Sequence, residues 1–340
     1  MTTIKDVAKL ASVSISTVSR VLNNSGYTSE ETKKKVFEAV ENLNFRKNIV
    51  AAAMINKQTS TFGLIIPDIK NVFYADLTRA VEDAANQHGF NVILCNTDND
   101  LKKEAEYISF LLQKGIDGII FSTPEIKNRN IKEVIKSRPD LPIVILGSKV
   151  VGVQVDEVLV DNFEGAYNAT IHLLELGHKK IGFIAGQPDS YATIERQKGY
   201  EAALEEYQLS LDLENIMLDE FKVGSGYNKG KEMLLRKNRP TAIFAGNDAI
   251  AVGVYKAARE LDIQIPEELS IVGFDDSQYA EIVYPSLTTV RTPVLEMGEK
   301  AIEMGILLSK KNKKFKETIT FQPELIVRSS TSELKVTKKD

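Results

Sequence analysis

The 340-residue sequence predicts an α/β fold: a two-lobed body of parallel sheets preceded by a small head of three short helices. Three observations predict it. Apolar runs alternate with amphipathic helical segments from residue 61 onward, the signature of parallel strands covered by helices. That series is too long for one sheet. The first 46 residues instead show only helical spacing, broken by short polar turns.

Composition sets wider bounds. The chain is 43% hydrophobic and 26% charged, ordinary values for folded domains. Its one cysteine, Cys95, permits no internal disulfide and suits a reducing compartment. The start, MTTIKDVAKLASVS, is interrupted by charge and does not read as a signal peptide. No stretch has the roughly 18 apolar residues of a membrane span. A cytoplasmic protein without a membrane partner is expected. Net charge is −4, but residues 1–60 hold nine Lys or Arg against five Asp or Glu. A basic head on an acidic body suits a head that meets phosphates.

In the head, Thr3 and Asp6 read as a variant capping box, with Ile4, Val7, Ala8 and Ala11 at helical spacing behind them. A break follows at Ser12-Val13. Ser14 caps a second helix whose apolar face is Val18, Val21 and Leu22. The turn formers NNSG, 23–26, end it. Thr28 with Glu31 is expected to cap a third helix with the stripe Val36, Val40 and Leu43. Two short helices joined by a tight turn make a helix-turn-helix, whose second helix enters the DNA major groove N-terminus first. Ser14, Ser16, Thr17 and Ser19 are short enough to let backbone approach DNA and can bond phosphate oxygens. Arg20 can grip a guanine edge with two hydrogen bonds. Hydroxyls that merely cap and solvate a surface helix are the competing reading. The connector 46–60, RKNIVAAAMINKQTS, is a marginal helix on its own, to be ordered by a partner or by DNA.

In the body the strand candidates are TFGLIIPD, FNVILCNT, GIDGIIFS, LPIVILG, KKIGFIAG, TAIFAGND and LSIVGFDD. Helical segments such as YADLTRAVEDAANQH and FEGAYNATIHLLELG separate them. A split near 161 gives two similar lobes with a cleft between them. Ligands of such sheets bind beyond the carboxyl ends of the strands, where Asp68, Asn71, Phe73, Tyr74, Asn247, Asp248, Asp275 and Asp276 fall. Carboxylates and aromatics in a cleft hold a polar small molecule. Acid–base catalysis by Asp248, Asp275 and Asp276 is the weaker alternative, since nothing completes a catalytic set. His88 and His178 read as helix-end residues and Cys95 as core. No catalytic or metal residues and no cofactor are expected; GxSxG, phosphate-loop and GxGxxG signatures are missing.

TIKDVAKLASVSISTVSRVLN resembles the DNA-binding signature of the lactose/galactose-repressor family of bacterial transcription regulators. GLIIPDIKNVFYADL, GYEAAL, PTAIFAGNDAIAVGVYKAARELDIQIPEELSIVGFDD and PSLTTVRTP resemble that family's body motifs, in order, so that the likeness covers essentially the whole chain. It implies a helix-turn-helix head (1–46), a hinge helix (47–60) and a periplasmic-binding-protein-like body. The N-terminal lobe would take 61–161 and about 290–322, the C-terminal lobe 162–289 and about 323–330, with 331–340 as tail. It implies an allosteric homodimer on a palindromic double-stranded operator, a repressor of carbohydrate use controlled by a sugar or sugar derivative in the cleft. A protein coregulator is the alternative. A solute-binding protein would share the body but not the basic head. Ile15, Ser16 and Arg20 fall at the base-reading positions. The full DNA-contacting set is Thr3, Ser14, Ile15, Ser16, Thr17, Ser19, Arg20, Asn23 and Tyr27 in the head, with Asn48, Ala51 and Met54 in the connector. Met54 stands where the family inserts a leucine wedge into the minor groove. Arg46-Lys47-Asn48 replaces the usual Arg-Pro-Asn, and Ser12 replaces a turn glycine at some cost. Phe73, Tyr74, Ser148, Ser190, Arg196, Phe221, Asn247 and Asp275 are the implied effector-binding positions. Gly147-Ser148 and Ser190 depart from ribose-type and purine-type patterns. The helix LEMGEKAIEMGILLSKK lacks arginines for a phosphorylated carrier protein, and LKVTKKD carries no leucine heptads, which favours a dimer over a tetramer.

Overall fold

The computed structural model describes residues 2–22, 25–45, 59–310 and 316–334. They fall into two compact units, Met1–Thr59 and Ser60–Asp340.

The first unit holds helices α1 (Ile4–Leu10), α2 (Ile15–Leu22) and α3 (Glu30–Asn42). The Asp6 carboxylate accepts both the backbone N–H and the hydroxyl of Thr3, each at 2.8 Å, and so starts α1. Ser12 sits in the left-handed region with φ 54°, a conformation that costs a non-glycine residue about 1–2 kcal/mol. Ser14 Oγ accepts the Thr17 N–H at 3.1 Å to cap α2. The cap of α3 corrects the sequence reading: Ser29, not Thr28, accepts the Thr32 N–H, at 3.3 Å. This places Glu30 and Glu31 in the first turn, where the helix dipole favours them, and Glu31 pairs with Lys35 at 2.7 Å. Val7, Ala8, Val18, Val21, Val36 and Ala39 are buried together, one apolar stripe from each helix.

The body contains two sheets. The first runs β11 (Thr318–Phe321), β5 (Asp156–Val160), β4 (Ile143–Leu146), β3 (Gly118–Phe121), β1 (Thr61–Ile66), β2 (Asn91–Asn96), all parallel. The second runs β12 (Glu324–Ile326), β10 (Thr288–Arg291), β9 (Ser270–Asp275), β8 (Ala242–Ala245), β6 (Ile181–Ala185), β7 (Ile216–Leu218). Only the β10–β12 pair among these is antiparallel. Strands buried on both faces explain the unbroken apolar runs of β1, β3, β4, β6 and β8. The chain passes between sheets after β5, after β10 and after β11. These passages lie together at one side of the body. The edge strands β2 and β7 lie at the other.

Helices cover both sheets. On the first, α4 (Val72–Gln87), α5 (Leu101–Lys114), α6 (Arg129–Ser137) and α12 (Val294–Ser309) pack; on the second, α7 (Asn162–Glu175), α8 (Tyr191–Glu206), α9 (Val223–Leu234) and α10 (Asp248–Glu260), with the short α11 (Tyr279–Ile282). Residues 331–334, read from sequence as tail, are instead bonded to the second lobe: Ser332 N–H donates to Ser270 Oγ at 3.1 Å and Leu334 N–H to the Leu176 carbonyl at 2.8 Å.

His178 stands at the end of α7, its N–H bonded to the Leu173 carbonyl at 3.2 Å, and it is also buried. It is 3% exposed and ties that C-terminal segment to β8 and β9. Its Nε2 lies 3.1 Å from the Ser332 carbonyl and 3.0 Å from Ser270 Oγ, and its Nδ1 lies 2.9 Å from Thr241 Oγ1. A carbonyl only accepts, so Nε2 carries the proton and Nδ1 accepts from Thr241. Burial holds the ring's pKa below its ordinary value. A depressed folded-state pKa gives stability that is present above about pH 6.5 and lost as pH falls through the folded value. We therefore expect the melting temperature to fall between pH 7 and pH 5 more steeply in the native chain than in His178→Asn. Buried carboxyls of opposite sign are common to both proteins and cancel in the difference. Parallel pH profiles would refute a buried neutral His178.

Candidate functional site

The outward face of α2 carries Ile15, Ser16 and Arg20, exposed, with Thr17 and Ser19 half-buried behind them. The opposite face, Val18 and Val21, is buried in the head. The Ser14 hydroxyl bridges to Ser16 Oγ at 2.7 Å and to Thr17 Oγ1 at 2.8 Å. A row of hydroxyls therefore rings the start of α2, beside amide groups that the helix leaves unpaired. Arg20 stands one turn beyond, its stem alongside Gly26. Thr3 is exposed at the start of α1, and Tyr27 projects almost wholly into solvent at 92% exposure. Asn23, Asn48, Ala51 and Met54 lie outside the described residues.

In the body, loops leaving the carboxyl ends of strands in both sheets meet around an inner chamber of about 50 Å³. It is lined by Phe73, Tyr74, Ser148, Ser190, Arg196, Phe221, Asn247 and Asp275, and also by Ser122, Thr123 and Asn162. Asn71 caps α4 through the Phe73 N–H at 3.1 Å and so aims Phe73 and Tyr74, whose rings meet edge-on at 5.2 Å. Asn247 likewise caps α10 through the Ile250 N–H at 2.9 Å.

Arg196 is the centre of this arrangement. It is 5% exposed, on the inward face of α8. Its Nε donates to Asn162 Oδ1 at 2.8 Å, its Nη1 to the Gly246 carbonyl, and its Nη2 to Asp275 Oδ1 at 3.4 Å. The guanidinium lies 3.5 Å from the Phe274 ring centroid. Burial pushes the Asp275 carboxyl above the usual carboxylate range, and the Arg196 charge counters it. Asp275 and Asp276 both have positive φ, 107° and 55°, conformations that non-glycine residues hold only where surroundings enforce them. That kink sets Asp275 against Arg196 and Asp276 between Arg291 and Arg328.

The other three aspartates of the sequence reading, Asp68, Asp248 and Asp276, do not line this chamber. Asp248 accepts the N–H and hydroxyl of Ser277 at 2.7 and 2.9 Å and the Thr289 hydroxyl at 2.6 Å. Asp276 is held between Arg291 at 2.8 Å and Arg328 at 2.7 Å. Both knit the second lobe together. Ser148 Oγ is different: it is buried and has no hydrogen-bond partner among the described residues, which costs about 1–3 kcal/mol unless something else bonds it.

The lobes also meet through main chain. Tyr191 N–H donates to the Pro124 carbonyl at 3.0 Å, and Ile126 N–H to the Asp189 carbonyl at 3.3 Å. The loop that reaches across is anchored below by buried Glu104, whose carboxylate accepts from Asn128 and Asn130, both at 2.9 Å. Ser122 and Thr123 escaped the sequence reading because they are small polar residues closing the apolar strand β3, and Asn162 because it opens α7 as one polar residue among others. Asn162 alone had a signal, its place just after the expected split at 161.

Residues 3–48 match the family model for bacterial regulatory proteins of the lacI family, and residues 170–331 match a periplasmic binding protein-like domain. The chain is 40% identical to the HTH-type transcriptional regulator DegA of Bacillus subtilis (strain 168), over 98% of this chain and 99% of that one. The lac repressor dimer bound to operator and the anti-inducer ONPF superposes with a TM-score of 0.86 at 25% identity, covering 97% and 99% of the two chains. The transcriptional regulator CelR in complex with cellobiose gives 0.74 at 27% identity, covering 97% and 100%. These relatives are regulators and not enzymes. Among the described residues no helix is long and apolar enough to cross a membrane. With a helix-turn-helix head that presents hydroxyls and an arginine, and a two-sheet body enclosing a polar chamber, the chain belongs to the lacI family of bacterial regulatory proteins and is a DNA-binding transcriptional regulator.

Proposed function

We propose that this regulator acts in the cytoplasm as a homodimer on a palindromic operator, and that an uncharged polyhydroxylated molecule between its lobes sets its affinity for DNA. The observation that carries the ligand class is the balance of charge around Arg196. Among the described residues lining the inner chamber, Arg196 is the cation and Asp275 the carboxylate, and they compensate one another. An anionic ligand would meet Asp275 with no spare cation. A neutral sugar or sugar derivative would accept hydrogen bonds from Arg196 and donate them to Asp275 without disturbing the pair. The Ser148 hydroxyl, without a partner among the described residues, is available to such a ligand, and Phe73 and Phe221 supply apolar walls. The related CelR structure holds cellobiose in complex.

Two heads on a two-fold axis read two half-sites, which makes the operator palindromic. The connector runs directly into β1 of the first lobe. A ligand that draws the lobes together shifts that lobe against its partner lobe, and the coupling to DNA is reciprocal, typically about 1–3 kcal/mol.

The test is the melting temperature of the purified chain against pentoses, hexoses, disaccharides, sugar phosphates and purines. A ligand at about 100 times its dissociation constant adds about 2.7 kcal/mol to stability. We expect a rise with a neutral sugar and none with its phosphate, and an altered operator affinity with that same sugar. A rise with sugar phosphates alone would refute the neutral class. No rise with any member, with sequence-specific DNA binding intact, would favour a protein coregulator. Sedimentation at micromolar concentration tests the dimer.

A further inference from the structure

We propose that the main-chain bridge between the lobes is a charge-gated clasp: repulsion between Glu125 of the first lobe and Asp189 of the second opposes closure, and acid relieves it. This rests on the reading that the lobes move against one another, and not on the identity of the ligand. The passages of chain between the sheets tie the lobes together on the side of β5, β10, β11 and β12. The bridge lies away from them. It joins the loop after β3 to the loop after β6, strands set toward the β2 and β7 edges of their sheets. With one side fixed by the passages, opening the cleft parts the other side, and this bridge must break. Glu125 and Ser190 face each other in it as an antiparallel pair. The Tyr191 N–H bonds the Pro124 carbonyl on one side, and the Ile126 N–H bonds the Asp189 carbonyl on the other. Two main-chain hydrogen bonds make a weak closure once water competes for them, so a modest electrostatic force can tip it.

Closure gathers like charges. Glu125 is half-buried at the bridge, and Asp189 from the second lobe and Glu104 from α5 beneath both act on it. Glu104 is already taken by the amides of Asn128 and Asn130. Among the described residues no cation pairs with Glu125 or Asp189. Lys127 and Arg129 on the same loop, and Lys149 on the segment beside it, are exposed and stand apart. On α8, Glu195 is held by Lys198 at 2.8 Å. Burial first, then Asp189 and Glu104, push the Glu125 carboxyl above its ordinary value. Parting the lobes removes the Asp189 charge and returns Glu125 to water. The closed body therefore binds this proton more tightly than the open one. Its contribution to closure is full below the ordinary carboxyl value, about pH 4.3, and is lost as pH rises through the closed-state value. Asp189 is exposed, so water screens the repulsion and the effect is a few-fold.

Pulsed electron spin resonance reads the separation of the lobes directly. Nitroxides are placed on Lys136→Cys of α6 and Glu205→Cys of α8, both exposed, in full-length chain diluted with unlabelled protein. Cys95 is 2% exposed and does not compete for label. In the otherwise native chain the ratio of short to long separations is expected to be about threefold higher at pH 5 than at pH 8. Glu125→Gln is expected to hold the short separation equally at both pH values, and Asp189→Asn to lose most of the pH response. Glu125→Lys, which turns repulsion into attraction, is expected to be more closed than the native chain at pH 8. Melting temperatures confirm which variants fold, and any one of the three suffices. The same pH response in the native chain and in the folded variants overturns the clasp, because another group then titrates, and leaves the mobile lobes standing. A native separation that does not change from pH 8 to pH 5 also overturns it. Either result leaves the sugar reading to its own test, the melting-temperature series.

Discussion

Arg196→Met is expected to lower the stability of the body by about 3–5 kcal/mol, the usual cost of leaving a buried charge without its partner. The substitution keeps most of the side chain's volume, so the loss is electrostatic rather than a cavity. It strips Asp275 of its counter-charge and leaves Asn162 Oδ1 and the Gly246 carbonyl without their donor. Burial already pushes the Asp275 carboxyl upward, and without the guanidinium it will rise further and hold a proton at higher pH. A raised folded-state pKa gives stability that is present below the unfolded value and lost as pH rises through the folded one. The deficit of Arg196→Met is therefore larger at pH 8 than at pH 5. Adding Asp275→Asn, which removes the charge but keeps the shape, should restore more than half of the loss at pH 8. Urea unfolding of the native chain, both single variants and the double variant forms the necessary cycle. An equal deficit at both pH values, with no rescue by Asp275→Asn, would show that Arg196 matters for packing alone.

How far the sequence exposed this arrangement depends on the residue. The strands β1, β3, β4, β6, β8 and β9 were legible because burial on both faces demands unbroken apolar runs. β5 was not: it opens with Asp156 and Glu157, which read as surface yet are 0% and 5% exposed. A central strand can bury two carboxylates only because its neighbours bond them, as Thr318 does for Glu157 at 3.0 Å, and pairings 161 residues apart leave no local trace. The short edge strands β7, β11 and β12 carry too few residues for any period to show. The cap of α3 was off by one because Thr28 and Ser29 are both acceptable caps and only backbone geometry decides between them. Within the site, the aromatics and aspartates at strand ends were visible as residues out of place in apolar company. What sorted them was not visible. Asp248, Asp275 and Asp276 look alike in sequence. Two successive positive φ values set one against Arg196 and the next between Arg291 and Arg328.

Arg20→Ala is expected to abolish most of the discrimination between operator and random DNA while leaving the head folded. The side chain is exposed, and its backbone carbonyl, which accepts the Ser25 N–H at 3.0 Å, is untouched by the change. A bidentate arginine–guanine contact is worth about 1–3 kcal/mol per half-site, so the proposed dimer, losing two, should lose about 2–6 kcal/mol on its operator. Loss of one positive charge per head removes far less from random DNA, since that binding is shared among many phosphates. Arg20→Lys separates charge from shape. Lysine keeps the charge but cannot present the planar fork. It should preserve the affinity for random DNA, preserve the salt dependence, and still lose operator preference. The operator is first selected from a random duplex pool with the native chain, and both variants are then titrated against it and against a scrambled duplex at fixed salt. If Lys at position 20 restores operator binding in full, Arg20 works as a phosphate contact, and base reading then falls to Ile15 and Ser16 on the same exposed face. If Ala weakens operator and scrambled duplex equally, α2 is not reading bases through this residue at all.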